Sequence, residues 1–252
     1  MVSSAVEAGA DAPVALITGG VRGIGAAVAR RLGQAGYRLV LSYRSDDAAA
    51  SGLSRELDAQ GVQHAMVRAD LSLAAEPDRL AAEAGAHFGR LDAVVSNAGI
   101  TDDAAFLTQA RERYAQVLAT NFLGAARLVS AALPQLSRSP APALVVVASL
   151  GGIAGKEGQV AYAASKGALI GMVQWLGRRH RGSGLRVNAV APGFIQTDMM
   201  AGLSPAMTAH VVQGAALRRV GQAHEVAEAV AFLLAPGYLQ STTLRVDGGF
   251  QR

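Results

Sequence analysis

The 252-residue chain contains no cysteine. That excludes disulfides, thiolate zinc sites and a cysteine nucleophile, and it fits a reducing compartment such as the cytoplasm. The five histidines, His64, His87, His180, His210 and His224, fall at no spacing that a metal site would use, so no metal cofactor is expected. No stretch reaches the ~18–20 apolar residues that span a bilayer. The first dozen residues have neither the basic start nor the apolar core of a signal peptide. A flexible tail over residues 1–12 and a single domain over 13–252, with no membrane association, are therefore expected. A chain that is 51% hydrophobic can bury one core of that size.

Lysine is nearly missing as well: Lys156 and Lys166 are the only two, and arginine supplies the other 21 of 23 basic residues. The net charge of +4 suits an anionic cofactor or an acidic partner. The dense basic run Arg178-Arg179-His180-Arg181 has no interleaved aromatics. It reads as a solvated helix end or a docking patch, and nucleic-acid binding is not expected.

Short aliphatic runs alternate with longer alanine-rich segments of helical periodicity. The runs are Val14–Thr18, Arg38–Tyr43, Val62–Arg68, Asp92–Ser96, Ala143–Ser149, Leu185–Ala191 and Thr242–Val246. Between them helices are predicted over Gly25–Ala35, Ala48–Gln60, Leu73–Phe88, Ala110–Leu136, Ala161–Arg179 and Glu225–Leu234. Such alternation specifies right-handed βαβ units, hence an α/β, doubly wound, Rossmann-like domain with a seven-stranded, mostly parallel sheet covered on both faces. Phe194–Leu217 follows a Pro-Gly pair with weak periodicity, and is the best candidate for a mobile lid.

The first predicted strand runs directly into Thr18-Gly19-Gly20-Val21-Arg22-Gly23-Ile24-Gly25 and then a helix. Glycines there allow a sharp turn and bring a pyrophosphate close to the amides at the positive helix end. At the end of the second strand, where a site for NAD usually has an acid, stands Tyr43, followed by Arg44 and Ser45. Guanidinium groups from Arg44 and Arg22 can fork onto a ribose phosphate that an acid would repel, which predicts NADPH over NADH.

Tyr162-Ala163-Ala164-Ser165-Lys166 puts a phenol and an ammonium one helical turn apart. A free phenol ionises near pH ~10, and a neighbouring cation stabilises its phenolate. Taken alone, this pair reads first as a packed aromatic and a solvated lysine. Ser149 at the end of an apolar strand and Asn97-Ala98-Gly99 after another tip the balance, because strand carboxyl ends converge on the ligand crevice.

Together with Asn121 and Pro192-Gly193-Phe194-Ile195-Gln196-Thr197-Asp198, these motifs resemble the short-chain dehydrogenase/reductase family, in the family's order, over residues 14–249. The resemblance implies that Tyr162 protonates a carbonyl oxygen as hydride arrives from the nicotinamide. Lys166 would lower the Tyr162 pKa and bind the nicotinamide ribose, Ser149 would hydrogen-bond the same oxygen, and Asn121 would hold a water that relays protons to Lys166. It also implies an adenine contact from Asp70 and its neighbour Leu71, an adenosine wall from Asn97, Ala98 and Gly99, and a nicotinamide side built from Pro192, Gly193, Ile195 and Thr197.

Within the family, Asn97–Thr101, the segment ending at Met199 and Leu244-Arg245-Val246-Asp247-Gly248-Gly249 most resemble β-ketoacyl-acyl-carrier-protein reductases. That likeness implies NADPH-dependent reduction of a 3-oxoacyl thioester, an acidic acyl-carrier protein as partner, and a homotetramer or dimer. The pathway would be fatty-acid synthesis or a specialised polyketide or aryl polyene route. Departures stand at Asp102-Asp103, where Arg-Asp is common, at Ser183, where an arginine often stands, and at Tyr238–Thr242, which lacks Thr-Gly-Gln. They leave carrier docking to Arg138, Arg178, Arg179 or Arg181. Reduction of an acyl-CoA or of a small free ketone is the alternative activity, and a silent NADPH-binding subunit or sensor the non-enzymatic one.

Overall fold

The computed structural model describes residues 11–200 and 204–250. Most of the expected tail, residues 1–10, and three residues of the expected lid lie outside that range. The element order is β1 (Val14–Ile17), α1 (Gly23–Gln34), β2 (Arg38–Tyr43), α2 (Asp47–Ala59), β3 (His64–Arg68), α3 (Glu76–Phe88), β4 (Ala93–Ser96), α4 (Arg111–Leu118), a π turn (Ala119–Gly124) and α5 (Ala125–Leu136). There follow β5 (Ala143–Val147), α6 (Leu150–Ala154), α7 (Val160–Arg179), β6 (Arg186–Pro192), β7 (Ile195–Gln196), α8 (Pro205–Gly214), β8 (Gly221–Gln222), α9 (Ala223–Leu234) and β9 (Thr243–Val246).

Seven strands form one sheet in the order β3-β2-β1-β4-β5-β6-β9. Every pairing in it is parallel, so the expected mostly parallel sheet is parallel throughout. The alternation of strand side chains explains why the runs read as continuously apolar. Val14, Leu16, Val94, Leu144 and Val146 pack on one face with α3, α5 and α7. Ala15, Ile17, Val95, Val145 and Val190 pack on the other with α1, α2 and α9. At ~2 kcal/mol for each fully buried Leu, Ile or Val, these two layers dominate the driving force for folding.

Strand order reverses between β1 and β4, and their carboxyl ends splay around a crevice. The opposite end of the sheet is tied by Asp92, which accepts from Val14 N (2.8 Å), Arg90 Nε (2.8 Å) and Ser139 Oγ (2.6 Å).

The predicted helix over Ala110–Leu136 is α4 and α5 joined by the π turn. At mean hydropathy 1.3 it is long and apolar enough to cross a bilayer by length and composition. Its apolar residues instead serve the domain core: Leu128, Val129, Ala132 and Leu136 are buried with α3 and the strands. Gly124 allows this approach, since a Cβ there would lie 2.2 Å from Leu71 O. Leu71, expected beside the adenine, is buried in this contact.

The weakly periodic region after Pro192 contains β7, a 3-10 turn at Asp198–Met200 and α8. Ser204 caps α8 by accepting from Met207 N (3.2 Å), with Pro205 at the first helical position. β7 pairs with β8 through Ile195–Gly221 and Gln196–Gln222. Thus the expected lid is anchored at both ends of α8.

Candidate active site

The glycine turn joins β1 to α1. Gly19 and Gly23 adopt φ of 59° and 53°, left-handed values that favour glycine. A Cβ on Gly25 would sit 2.0 Å from Gly19 O, so α1 packs directly beneath the turn. Val21 is buried, Ile24 half-buried, and Arg22 exposed at the α1 N-cap. The first turn of α1 carries no acid and no side-chain cap, leaving its amides and positive dipole end to an anion. This cradle fits a dinucleotide pyrophosphate, which a larger side chain at any of the three glycines would displace.

Asn97 fastens the cradle to the end of β4. Its Nδ2 donates to Thr18 O (2.9 Å) and Gly19 O (3.0 Å), while Thr18 Oγ1 accepts from Asn97 N (2.9 Å) and Ala98 N (3.0 Å). Asn97 and Ala98 therefore wall the crevice through structural bonds, and a Cβ on Gly19 would come within 3.1 Å of Ala98 Cα. Thr18 was not singled out from the sequence. Its signal was a hydroxyl at the last strand position, aimed at the next parallel strand.

At the end of β2, Arg44 and Ser45 are exposed and Tyr43 is half-buried. The Tyr43 phenol is pushed up by burial, by its hydrogen bond to Asp47 and by that carboxylate's charge, against the opposing charge of Arg68. Arg68 Nε donates to Arg44 O (3.0 Å), and Arg22 lies 3.8 Å from Asp46. Asp46 is largely occupied as the α2 cap, accepting from Ala49 N (3.0 Å). Arg68 and the exposed Arg44 thus stand at this strand end, with Arg22 paired to Asp46 beside it. Asp70 Oδ1 accepts from both Ser72 N (3.0 Å) and Ser72 Oγ (2.7 Å), a local turn that orients the carboxylate after β3.

On the other side of the crevice, Ser149 follows β5 and caps α6, accepting from Gly151 N (3.0 Å). That bond uses an oxygen lone pair and leaves the hydroxyl hydrogen to donate. Gly152 lets α6 rest on the α7 backbone, because a Cβ there would lie 2.7 Å from the Lys166 carbonyl carbon. Ser149 is thereby held against Tyr162, in the first turn of α7.

Lys166 is 3% exposed; its Nζ donates to Val147 O (2.7 Å) and lies 5.7 Å from the Tyr162 ring centroid. Burial lowers its pKa to about 8, and among the described residues no carboxylate offsets that burial. A buried cation without a counter-ion marks a functional site more than a stabilising one. The Tyr162 phenol is not lowered as the spacing alone suggested. Burial pushes it up, hydrogen bonding from Ser149 pulls it down, and the charge of Asp103 pushes it up further. Desolvation of the buried phenolate is the largest effect and outweighs the hydrogen bond from Ser149.

Asn121 lies in the π turn, fully buried. Its Oδ1 accepts from Ile100 N (2.8 Å), and its Nδ2 donates to Ile100 O (2.9 Å) and Ser165 Oγ (3.0 Å). Both amide hydrogens are committed, so one Oδ1 lone pair is what remains for a water. A Cβ on Gly99 would lie 3.3 Å from that Oδ1 and 3.4 Å from Lys166 Nζ, so the two groups face one glycine. Ser165, also not anticipated, donates to Tyr162 O (2.7 Å) and ties Asn121 to α7. Pro192 ends β6, and Gly193 N donates to Val246 O (3.0 Å). Ile195 is buried, and Thr197 Cγ2 is 3.4 Å from where a Gly23 Cβ would be, beside the cradle.

The Arg178-Arg179-Arg181 group does not reach this site. Tyr162 is the third residue of α7 and Arg178 the nineteenth, which separates them by roughly 24 Å at ~1.5 Å per residue. Arg138 lies between α5 and the start of β5, likewise at the far end. The residues expected to dock a carrier thus lie at the end of α7 and before β5, away from the crevice itself.

A family model described as enoyl-(acyl carrier protein) reductase matches residues 19–251. The 3-oxoacyl-[acyl-carrier-protein] reductase FabG of Staphylococcus aureus is 34% identical over 237 residues, 93% of this chain and 96% of that protein. The 3-oxoacyl-[acyl-carrier-protein] reductase of a Synechocystis species is 35% identical over 241 residues, 94% of this chain and 96% of that one. The crystal structure of levodione reductase superposes with a TM-score of 0.89 at 30% identity, covering 94% of this chain and 96% of that chain. With the sheet order and the crevice already described, these likenesses show that the chain belongs to the short-chain dehydrogenase/reductase family, nicotinamide-dependent oxidoreductases that interconvert alcohol and carbonyl groups.

Proposed function

We propose that this protein uses NADPH to reduce a 3-oxoacyl thioester to the 3-hydroxyacyl thioester. The observation that carries the reading is the buried, uncompensated Lys166 beneath a Tyr162–Ser149 pair that opens onto the glycine cradle. When bound, the nicotinamide supplies the hydride. Tyr162 donates the proton to the substrate oxygen, and the Ser149 hydroxyl, which bonds the phenol, would turn to that same oxygen as charge develops. Lys166 holds positive charge under the phenol and takes the nicotinamide ribose, and Asn121 Oδ1 orders a water beside it. Gly19, Gly23 and Gly25 admit the pyrophosphate; Asp70, Asn97 and Gly99 border the adenosine, and Ile195 and Thr197 the carboxamide. Both sites lie in one domain, and cytoplasmic NADPH suits a chain with no cysteine.

The 3-oxoacyl assignment follows the two acyl-carrier-protein reductases that match nearly the whole chain. An acidic carrier protein would approach the crevice end, where Arg111 begins α4. A homo-oligomer would cover exposed apolar residues such as Leu123 and Trp175 on one side of the sheet and Phe232 on the other, each more than half exposed. The test is NADPH oxidation with acetoacetyl-carrier protein and acetoacetyl-CoA. Turnover of the carrier thioester at the higher kcat/KM is expected; turnover of neither would leave the silent-subunit reading standing.

Cofactor choice has its own check. Arg44→Asp removes a cation and adds a charge that repels the ribose phosphate, costing about 1.5–3 kcal/mol for a lost charged hydrogen bond. The ratio of kcat/KM for NADPH over NADH should fall by about 10- to 100-fold. An unchanged ratio would refute the phosphate-binding assignment.

A further inference from the structure

Asp103 and Gln159 take no part in the machinery described so far, yet they meet at its edge. Gln159 is the N-cap of α7, 9% exposed, and its carbonyl accepts from Ala163 N (2.8 Å). Its side-chain Nε2 donates to Asp103 Oδ2 (2.7 Å). Next to that bond, Ala104 N donates to Gly158 O (2.9 Å). Two adjacent bonds thus zip the segment after β4 to the segment that starts α7, three residues before Tyr162.

The neighbouring acid shows what this pairing achieves. Asp102 is neutralised by a forked ion pair with Arg113. Asp103, by contrast, is pinned by an amide, which fixes a carboxylate without cancelling its charge. We propose that Gln159 holds Asp103 as a positioning residue for Tyr162, its uncancelled charge biasing the phenol toward the proton-donating form that reduction consumes.

The other groups around the phenol do not duplicate that charge. Lys166, on the same helix, is bonded to Val147 O. Ser149, at the β5–α6 corner, is neutral and acts on the phenol in the opposite sense. From α4, Arg113 is taken by Asp102. In the α6–α7 segment, Lys156 lies over the Phe194 ring at 5.2 Å, and Glu157 is exposed to solvent. The phenol's displacement agrees in sign: burial is the largest cause, and Asp103 adds to it.

The proposal rests on the reductase reading for its purpose, but its test needs no turnover. Asp103→Asn keeps the shape and an oxygen for Gln159 to bond. Ionisation of Tyr162 is followed by ultraviolet difference titration of phenolate absorbance, with Tyr162→Phe as the subtraction reference. Tyr162 should ionise at lower pH in Asp103→Asn, and Asp103→Glu should move it back toward the parent. In the active enzyme, the alkaline fall in kcat for reduction should move to lower pH in parallel. If Asp103→Asn lacks a cooperative melt, Gln159→Met carries the test, because the solvent-exposed carboxylate, no longer pinned, can swing away from the phenol and should shift the titration in the same direction. Ionisation at an unchanged or higher pH overturns the proposal, whether or not the protein reduces thioesters.

Discussion

Tyr162→Phe should lower kcat for thioester reduction by about 10³-fold or more, the upper part of what a positioned general acid contributes. The substitution removes one oxygen and the transferable proton while the ring keeps its packing against Lys166 and α6. Among the described residues, no second acid stands in the crevice to replace it: Ser149 is a far weaker one, and the Asp103 carboxylate is bonded to Gln159. NADPH should still bind with a dissociation constant within a few-fold of the parent, because the cradle at Gly19–Gly25 is untouched. Fluorescence titration of NADPH and single-turnover reduction separate the two effects. Loss of the folded state would instead assign Tyr162 a packing role, although only about 1 kcal/mol of hydrogen bonding is at stake.

Lys166→Met should abolish turnover yet raise thermal stability. Lowering a lysine from 10.5 to about 8 by burial alone means the fold works against that charge, by an amount equivalent to roughly 3 kcal/mol. Methionine fills the same channel without the charge, and losing the bond to Val147 O returns about 1 kcal/mol of that. A net gain of about 1–2 kcal/mol, or roughly 2–8 °C in Tm, is expected. The pH dependence provides the sign. Between about 8 and 10.5 the unfolded chain holds a proton on Lys166 that the folded chain has released, so parent stability rises with pH through that window. The Met variant should lack this rise. Melts across the window decide it, and a variant less stable than the parent at neutral pH would show Lys166 to be a structural donor.

Much of the fold could be read from the sequence because a sheet buried on both faces leaves uninterrupted apolar runs. Leu144–Val147 needs no partner to be recognised as a strand, and the long period of Ala125–Leu136 none to be recognised as a helix. Short elements were harder to see. α6 spans Leu150–Ala154 with two glycines, and β7 and β8 have two residues each, so periodicity has nothing to act on. At the site, Tyr162 and Lys166 were legible because their relation is local to one helix. The Asp103–Gln159 contact spans 56 positions and has no local signature. The direction of the Tyr162 displacement was misread for a related reason: spacing reports the cation, whereas burial depends on every segment that closes over the ring. Nor could the chain alone show that Arg138 and Arg178 lie at the end of the domain away from the crevice.

The π turn at Ala119–Gly124 holds one residue more than a regular helix needs over the same rise. Excising any single residue there would let α4 and α5 merge into one straight rod, a change that helix propensity would favour. The flanking faces would stay in place, but the widened turn that carries Asn121 to Ile100 and Ser165 would be lost. The long helix therefore tolerates substitution far better than it tolerates a change of length, and shortened relatives should be sought among chains that have given up the chemistry.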